Sequence, residues 1–336
     1  MLTAPVLELD DVAVHLGGKR RWFRPSIPSV KAVGGVSLAV QAGEILGIVG
    51  ESGCGKTTLG RAILGLQRET RGTIRLDGKV VSGQAPREAR RLRRAVQYVH
   101  QDPGAALDPW WSVGHTLEEG LVITDGAKRA ERRPRVEAAL AAVGLEPSAG
   151  RRYPHEFSGG QLRRIGLARI LILDPRIVIL DEPTSGLDMS VQATVLNLLL
   201  EIRARRDLTY LFISHDLSVV RRLCDRVAVM YLGRIVEIAP ATRTFGRPLH
   251  PYTRALLAAA PRLEPGGLKP VPIRGEPPSA ARIPQGCLFA GRCPYVEPAC
   301  IAEEQVLAPA EDGHEVACRR WREIEDGAPP TRDLAA

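Results

Sequence analysis

The chain has 336 residues, of which 44% are hydrophobic and 25% are charged, a composition typical of a soluble globular protein with a sizeable core. Its longest apolar runs, such as residues 177–180, are far shorter than the roughly 20 residues that span a bilayer, and its acidic N-terminus lacks the features of a signal peptide. We therefore expect a cytoplasmic protein without membrane-spanning segments, in which clustered cysteines more often hold a metal than form disulfides.

The formal net charge is +8, and basic residues are concentrated at 18–25 and 87–94. These clusters are consistent either with a solvated surface or with an anionic partner such as a nucleotide, lipid headgroups or nucleic acid. Charge alone does not distinguish these alternatives.

Predicted strands alternate with predicted helices along most of the chain. The apolar and β-branched patterns predict strands at 35–41, 44–49, 72–81, 95–100, 176–181 and 209–214. Between residues 113 and 173 the pattern is helical, and a Pro- and Gly-rich stretch at 260–278 indicates a linker to a small C-terminal module. The alternation predicts a parallel α/β sheet.

The stretch "GESGCGKTT" follows the predicted strand 44–49 and precedes a helical pattern, as a phosphate-binding loop does. Its glycines let backbone N–H groups close around phosphate oxygens, while Lys56 reaches the terminal phosphates and the Thr57 hydroxyl binds Mg²⁺. Cys54 occupies a variable slot and is interpreted as a small neutral residue. The predicted nucleotide-binding residues are Gly50, Glu51, Ser52, Gly53, Cys54, Gly55, Lys56, Thr57 and Thr58.

A second motif, "IVILDEP" at 177–183, ends a buried strand with two acidic residues. Ligands bind at the carboxyl ends of strands in open α/β sheets, so Asp181 is suited to hold Mg²⁺ directly or through water. Glu182 is the group expected to polarise the attacking water.

The stretch "FSGGQLRRIGLAR" predicts a helix that begins beside a phosphate. Ser158 and Gln161 form a capping box, while Gly159 and Gly160 leave the first-turn amides and the positive end of the helix dipole exposed. A chain with a phosphate loop of its own needs this second cradle only for a second nucleotide, such as that of a partner subunit. The stretch resembles the signature motif of ABC ATPases, which acts across a head-to-tail dimer.

Three more motifs appear in that family's order. "YVHQDP" resembles the Q-loop, with Gln101 between the core and helical parts; "SGLD" resembles the D-loop, with Asp188 facing the opposite protomer; and "ISHD" resembles the switch region, with His215 contacting the γ-phosphate. The motifs cover roughly residues 6–240. The resemblance implies the catalytic residues Glu182, His215, Gln101 and Lys56, and Mg²⁺ ligands at Thr57, Gln101 and Asp181.

The resemblance also implies an α/β fold of the ABC-type P-loop NTPase class, with a RecA-like core, an antiparallel β subdomain and a helical subdomain at about 103–173. This nucleotide-binding domain would occupy residues 1–262. Residues 263–336 would form a linker and a C-terminal extension that carries four cysteines.

Further stretches resemble the ATPases of oligopeptide, dipeptide and nickel importers. They are "AALDPWWSV", "RYPHEFSGGQ", "VMYLGRIVE", "PLHPYTRALL" and the tail "GEPPSAARIPQGCLFAGRCP". Residues 18–33 resemble an insertion of the second ATPase of oligopeptide systems. The implied function is ATP- and Mg²⁺-dependent import of peptides or a related small solute.

This resemblance implies several partners: two membrane permeases, a second ABC ATPase (a paralogue or a second copy) and an extracytoplasmic solute-binding protein. The chain would work at the cytoplasmic face of the cell membrane. The alternative is a non-transport ABC ATPase acting on nucleic acid, which would suit the net charge and the cysteine tail but which the importer-like stretches argue against.

The chain departs from the family pattern in two places. Leu16 stands where an adenine-stacking aromatic is expected, so Trp22, Phe23 or an aliphatic surface would contact the base. Leu162 and Arg163 stand in a run that is usually polar-Gln-Arg, and we expect them to alter coupling or packing more than hydrolysis.

Four cysteines lie near the C-terminus with the spacing C-x5-C-x6-C-x17-C. Zinc sites more often begin with a tight C-x₂₋₄-C knuckle, whereas looser spacing suits a [4Fe–4S] cluster, which some similar importer ATPases hold there. Zinc, unligated thiols and disulfides stay open as alternatives, and a cluster would be structural or redox-sensing. These cysteines are Cys287, Cys293, Cys300 and Cys318.

Overall fold

The computed structural model describes residues 4–17, 29–84, 93–99, 106–260 and 275–331. They fall into two compact units. The first unit contains residues 41–44 and 83–211, and the second contains residues 4–40, 45–82 and 212–336, each to the extent that it is described. None of the helices in the described ranges is both long and apolar enough to cross a membrane.

The strands within these ranges are mostly short. In chain order they are β1 (Leu7–Leu16), β2 (Val30–Val40), β3 (Ile45–Val49), β4 (Arg71–Leu76), β5 (Lys79–Val80), β6 (Val96–Val99), β7 (Ile177–Asp181), β8 (Thr209–Ile213), β9 (Arg226–Tyr231), β10 (Arg234–Pro240), β11 (Ala308–Glu311) and β12 (His314–Val316).

The described helices follow the same chain order. They are α1 (Lys56–Leu64), α2 (Val113–Asp125), α3 (Arg129–Ala142), α4 (Gly159–Leu171), α5 (Met189–Arg206), α6 (Leu217–Leu223), α7 (Ala241–Gly246), α8 (Pro251–Ala259), α9 (Pro298–Ala302) and α10 (Trp321–Glu325). Short 3₁₀ turns lie at Arg93–Ala95, Pro147–Arg151, Pro154–Glu156 and Ala290–Arg292.

The second unit contains an antiparallel sheet with the strand order β2-β1-β4-β5. β1 pairs with β2, with Leu7 opposite Val40. The β4–β5 hairpin turns at Asp77 and Gly78, whose φ angles of 47° and 72° are those that a tight two-residue hairpin turn requires. This sheet is the antiparallel β subdomain that the family resemblance implies.

The same unit also contains the strands β11-β12-β10-β9-β3, in that spatial order. β3 is buried along its whole length and runs parallel to β9, with Ile48 opposite Ala228, as in sheets that helices cover on both faces. β12 pairs antiparallel with β10, with Glu237 opposite Val316. The C-terminal hairpin β11–β12 therefore extends this group of strands.

The first unit contains the parallel pair β6–β7, with Val96 opposite Ile177, together with helices α2 to α5. β7 is buried along its whole length. The equally buried β8 is the strand in which the chain passes from the first unit to the second. Parallel strands connected by helices confirm the predicted α/β class.

The helical region predicted between residues 113 and 173 is divided into three helices, α2, α3 and α4. α2 ends at Gly126, which adopts a left-handed φ of 60°, and 3₁₀ turns separate α3 from α4. Residues 261–274, where the predicted domain boundary falls, lie outside the described ranges. That boundary stays a prediction.

Candidate nucleotide-binding site

The loop between β3 and α1 depends on glycine at two positions. Gly50 has a φ of 152°, and a Cβ there would lie 2.1 Å from the Met230 carbonyl oxygen. Gly55 has a φ of 110°, and a Cβ there would lie 2.2 Å from the Ala32 carbonyl oxygen. A larger residue at either position would both strain the backbone and collide with the carbonyl group of a neighbouring strand, β9 or β2.

The N-terminus of α1 is suited to an anion. Gly55 is its N-cap, and no side chain within the described residues caps it. The first amides of a helix have no partner inside the helix and carry the positive end of its dipole. This loop and helix end therefore have the geometry that a phosphate-binding cradle requires.

Lys56 lies against the inside of this loop and is only 7% exposed. Its Nζ donates to the carbonyl oxygens of Gly50 at 2.7 Å and Glu51 at 3.0 Å, and it lies 3.7 Å from Cys54 Sγ. Burial raises the pKa of the Cys54 thiol, so this thiol is neutral at pH 7. This agrees with its interpretation as a small neutral residue.

Glu51 has partners that no local sequence pattern indicates. Its backbone N–H donates to the Tyr252 hydroxyl at 2.8 Å, and its carboxylate accepts two hydrogen bonds from Arg292. Both partners lie more than 200 residues away in sequence. The phosphate loop is thus supported by α8 and by the C-terminal residues of the same unit.

In the first unit, the acidic strand end lies at the C-terminus of β7. Asp181 is 8% exposed, and its Oδ2 accepts a hydrogen bond from the Tyr98 hydroxyl at 2.5 Å. Glu182 has a φ of 50°, a left-handed conformation that costs free energy in residues other than glycine. Sequence reasoning did not identify Tyr98, because an aromatic residue on a buried strand is usually part of the core.

The signature helix α4 begins as predicted. The Ser158 hydroxyl accepts from the Gln161 N–H at 3.4 Å, and the Gln161 side-chain oxygen accepts from the Ser158 N–H at 3.0 Å. Ser158 and Gly159 are exposed, and nothing lies within 4 Å of a Cβ at Gly159. The positive end of this helix is therefore open to an approaching ligand.

Asp188 and Arg163 organise the segment that follows β7. The Asp188 carboxylate caps α5 by accepting from the N–H groups of Ser190 at 3.1 Å and Val191 at 2.9 Å, and these hydrogen bonds lower the pKa of Asp188. Asp188 is exposed, but its carboxylate already has partners within its own chain. The predicted role of Asp188 opposite a partner protomer stays a prediction.

Arg163 donates to the carbonyl oxygens of Pro183 at 2.9 Å and Ser185 at 2.8 Å. It thereby ties the signature helix to the segment between Glu182 and Asp188. This position agrees with an effect of the unusual Arg163 on packing or coupling.

The structure describes only some of the remaining predicted residues. His215 is exposed and follows β8 in the second unit, and Leu16 is half-buried at the end of β1. Gln101, Trp22 and Phe23 lie outside the described residues. The adenine-contacting residue and the Q-loop glutamine therefore stay predictions.

All four C-terminal cysteines line one cavity of about 20 Å³, which has room for about one water molecule. They are free thiols, and burial raises the pKa values of Cys293 and Cys318 to about 12. The described residues contain no group of three or more His, Cys, Asp or Glu side chains arranged to hold a metal ion. The structure therefore brings the predicted ligands together but does not support a metal centre at them.

Two family models match the sequence: "ABC transporter" over residues 33–185 and "Oligopeptide/dipeptide transporter, C-terminal region" over residues 236–300. The chain is 46% identical over 321 residues to a putative peptide import ATP-binding protein of Brucella ovis, which covers 95% of this chain and 99% of that protein. It is 45% identical over 314 residues to the di/tripeptide transport ATP-binding protein DppF of Pseudomonas aeruginosa, with coverage of 93% and 97%. It is also 45% identical over 320 residues to the oligopeptide transport ATP-binding protein AppF of Bacillus subtilis, with coverage of 94% and 97%.

Solved structures show the same fold. The structure of cbiO1 from Clostridium perfringens, part of the ABC transporter complex cbiONQ, matches with a TM-score of 0.62 and 27% identity over 73% of this chain and 92% of that chain. A dimeric ATP-binding cassette in a post-hydrolysis state with ADP and Pi matches with a TM-score of 0.60 and 26% identity, over 70% of this chain and 98% of that chain. The predicted fold and family are thus confirmed: the chain belongs to the ATP-binding subunits of ABC transporters of the oligopeptide and dipeptide class, and it is an ATPase.

Proposed function

We propose that this ATPase drives the import of peptides or a related small solute through separate membrane subunits. The proposal rests on the presence of two features in one chain. The chain has a complete phosphate loop of its own, and it has a second, open helix N-terminus at Ser158. The similar proteins include a putative peptide import ATP-binding protein and a di/tripeptide transport ATP-binding protein, which supports peptides as the solute class.

In the proposed site, Lys56 and the amides of the phosphate loop bind the β- and γ-phosphates, and His215 contacts the γ-phosphate. Thr57, Asp181 and Gln101 supply hydroxyl, carboxylate and amide oxygens, the hard ligands that suit Mg²⁺. An Mg²⁺ ion held by these residues would neutralise part of the charge on the phosphates. Glu182 polarises the attacking water.

The second phosphate cradle serves the ATP of a partner ATPase. Ser158 and its neighbours would meet the γ-phosphate that the partner's phosphate loop holds, in a head-to-tail dimer. The residues proposed to act across the dimer are Ser158, Gly159, Gly160, Gln161 and Asp188. The exposure of Ser158 and Gly159 supports this arrangement, and the partner is a paralogue or a second copy of the chain.

The helical segment at about 103–173 would contact a short cytoplasmic helix of a membrane subunit, with Gln101 linking this segment to the nucleotide site. Two tryptophans in this segment support such a contact, because Trp110 is 85% exposed and Trp111 is 38% exposed. Large exposed aromatic residues are enriched where proteins bind partners. The chain would thus be peripheral, at the cytoplasmic face of the membrane, with the solute-binding protein on the other side.

The iron–sulfur cluster stays a prediction for the C-terminal extension, where four free thiols line one cavity. The thiols would have to move apart to enclose a cluster, because the cavity holds about one water molecule. Anaerobic purification of a brown protein with about four iron atoms per chain would support it. A colourless protein with one zinc ion, or with no metal and four titratable thiols, would contradict it.

The import function is tested by reconstitution. The chain, a partner ATPase, both permeases and the binding protein would be placed in liposomes, and ATP-dependent uptake of labelled peptides would be measured. Uptake that requires Lys56 supports the proposal, with Arg205→Ala, a change at an exposed ion pair outside the segment proposed to contact the permease, as the matched control. Absence of uptake together with DNA binding that weakens steeply with salt would favour the nucleic-acid alternative.

A further inference from the structure

We propose that Arg292 is a positioning residue of the nucleotide site, which acts through Glu51 of the phosphate loop. Arg292 belongs to the C-terminal module (described residues 275–331), in the short turn Ala290–Arg292. The family's motifs assign nucleotide binding to the loop itself and leave this module without a part in it.

The two side chains form a bidentate ion pair. Arg292 Nη1 lies 2.8 Å from Glu51 Oε2, and Arg292 Nη2 lies 3.0 Å from Glu51 Oε1. The Arg292 side chain is only 9% exposed and that of Glu51 is 26% exposed. Two parallel hydrogen bonds in a site largely removed from water hold a carboxylate in one orientation far better than a surface pair does.

Aromatic side chains hold Arg292 in place. Phe289, at the start of the turn, packs edge-on against Tyr231 with ring centroids 5.4 Å apart, and it lies 5.5 Å from the Tyr252 ring. Arg292 Nη1 also donates to the Tyr231 hydroxyl at 3.4 Å. These contacts therefore fix the position of the Arg292 guanidinium beside Glu51.

Glu51 is thus fixed at three points. The Tyr252 hydroxyl accepts a hydrogen bond from the Glu51 N–H, Lys56 donates one to the Glu51 carbonyl oxygen, and Arg292 binds the Glu51 carboxylate. The same residue consequently links the C-terminal module to the lysine that serves the terminal phosphates.

The charge of Glu51 explains why this link matters for ATP. A carboxylate in a phosphate-binding loop repels the triphosphate and attracts the ammonium group of Lys56. Arg292 neutralises that carboxylate and holds it in one orientation. Removal of Arg292 should therefore weaken ATP binding more than it slows the chemical step.

The test compares Arg292→Ala with Arg247→Ala in the full-length chain. Arg247 also binds the C-terminal module, through Glu311 and Glu325, but it has no contact with the phosphate loop among its described partners. We expect Arg292→Ala to raise the Kd and KM for ATP about five- to tenfold, the order expected for one like charge near a binding site. The kcat should change less, and Arg247→Ala should leave all three values near those of the wild type.

A second substitution tests whether Arg292 acts by neutralising the charge of Glu51 or only by supporting the phosphate loop. If Arg292 acts through Glu51, Arg292→Ala combined with Glu51→Gln should recover most of the ATP affinity that Arg292→Ala loses. No recovery, an equal loss in Arg247→Ala, or an unchanged Kd in Arg292→Ala would overturn the proposal. If Arg292→Ala does not fold, Arg292→Gln, which keeps length but not charge, is measured in its place, with the same outcomes.

Discussion

Replacement of Glu237 by alanine should strongly destabilise the second unit. Glu237 lies on β10 and is fully buried. Its carboxylate accepts from the N–H groups of Leu249 at 2.8 Å and His250 at 2.9 Å, and its Oε1 lies 2.7 Å from His314 Nε2. One side chain thus joins the start of α8 to strand β12 of the C-terminal module.

The size of the effect follows from these three partners. Each buried donor left without an acceptor costs about 1–3 kcal/mol, and removal of one member of a buried charged network typically costs about 3–5 kcal/mol. We therefore expect Glu237→Ala to lower the free energy of unfolding by about 3–5 kcal/mol. Glu237→Gln keeps one acceptor oxygen and the shape of the side chain, so it should lose about half as much.

Urea unfolding of the full-length variants measures these losses. Glu201→Ala is the matched control, because its side chain is 63% exposed and surface changes of this kind usually stay within about 0.5 kcal/mol. A Glu237→Ala variant within about 1 kcal/mol of the wild type would refute the structural role assigned to Glu237.

Three further predictions concern single residues. Burial lowers the pKa of His250 to about 4, below its unfolded value of about 6.5. The contribution of neutral His250 to stability is therefore complete above pH 6.5 and is lost as the pH falls toward 4. Urea unfolding between pH 7 and 4 should show this loss, and His250→Asn should reduce the dependence of the unfolding free energy on pH. Tyr98→Phe removes the hydroxyl that donates to Asp181 and should cost about 1–3 kcal/mol of stability, whereas an unchanged urea midpoint would count against this contact. Gly55→Ala should abolish ATP binding and cost about 3 kcal/mol or more of stability, because its Cβ collides with the Ala32 carbonyl. Gly53→Ala has open space around it and should cost about 1–2 kcal/mol. Equal losses of stability in the two variants would contradict the packing seen around Gly55.

The sequence predicts those parts of the site that depend on local backbone geometry. The glycine spacing of the phosphate loop encodes the positive φ angles of Gly50 and Gly55, and the capping box at Ser158 is a four-residue pattern. Asp188 could also have been assigned as a cap, because aspartate is favoured at the position before a helix.

Other parts depend on contacts between distant residues and were not predicted. β1 was missed because register shifts and the left-handed Asp11 interrupt its alternation. The Arg292–Glu51 pair spans 241 residues, and no local pattern relates its members. Tyr98 likewise contacts Asp181 across 83 residues, so its role follows only from the pairing of β6 with β7.

The most direct test of the ATPase account is the rate of phosphate release by Glu182→Gln at saturating ATP and Mg²⁺. If Glu182 polarises the attacking water, the variant should bind ATP normally yet release phosphate about 10²- to 10⁴-fold more slowly than the wild type. A variant that retains most of the wild-type rate in the assembled transporter would contradict the role assigned to Glu182.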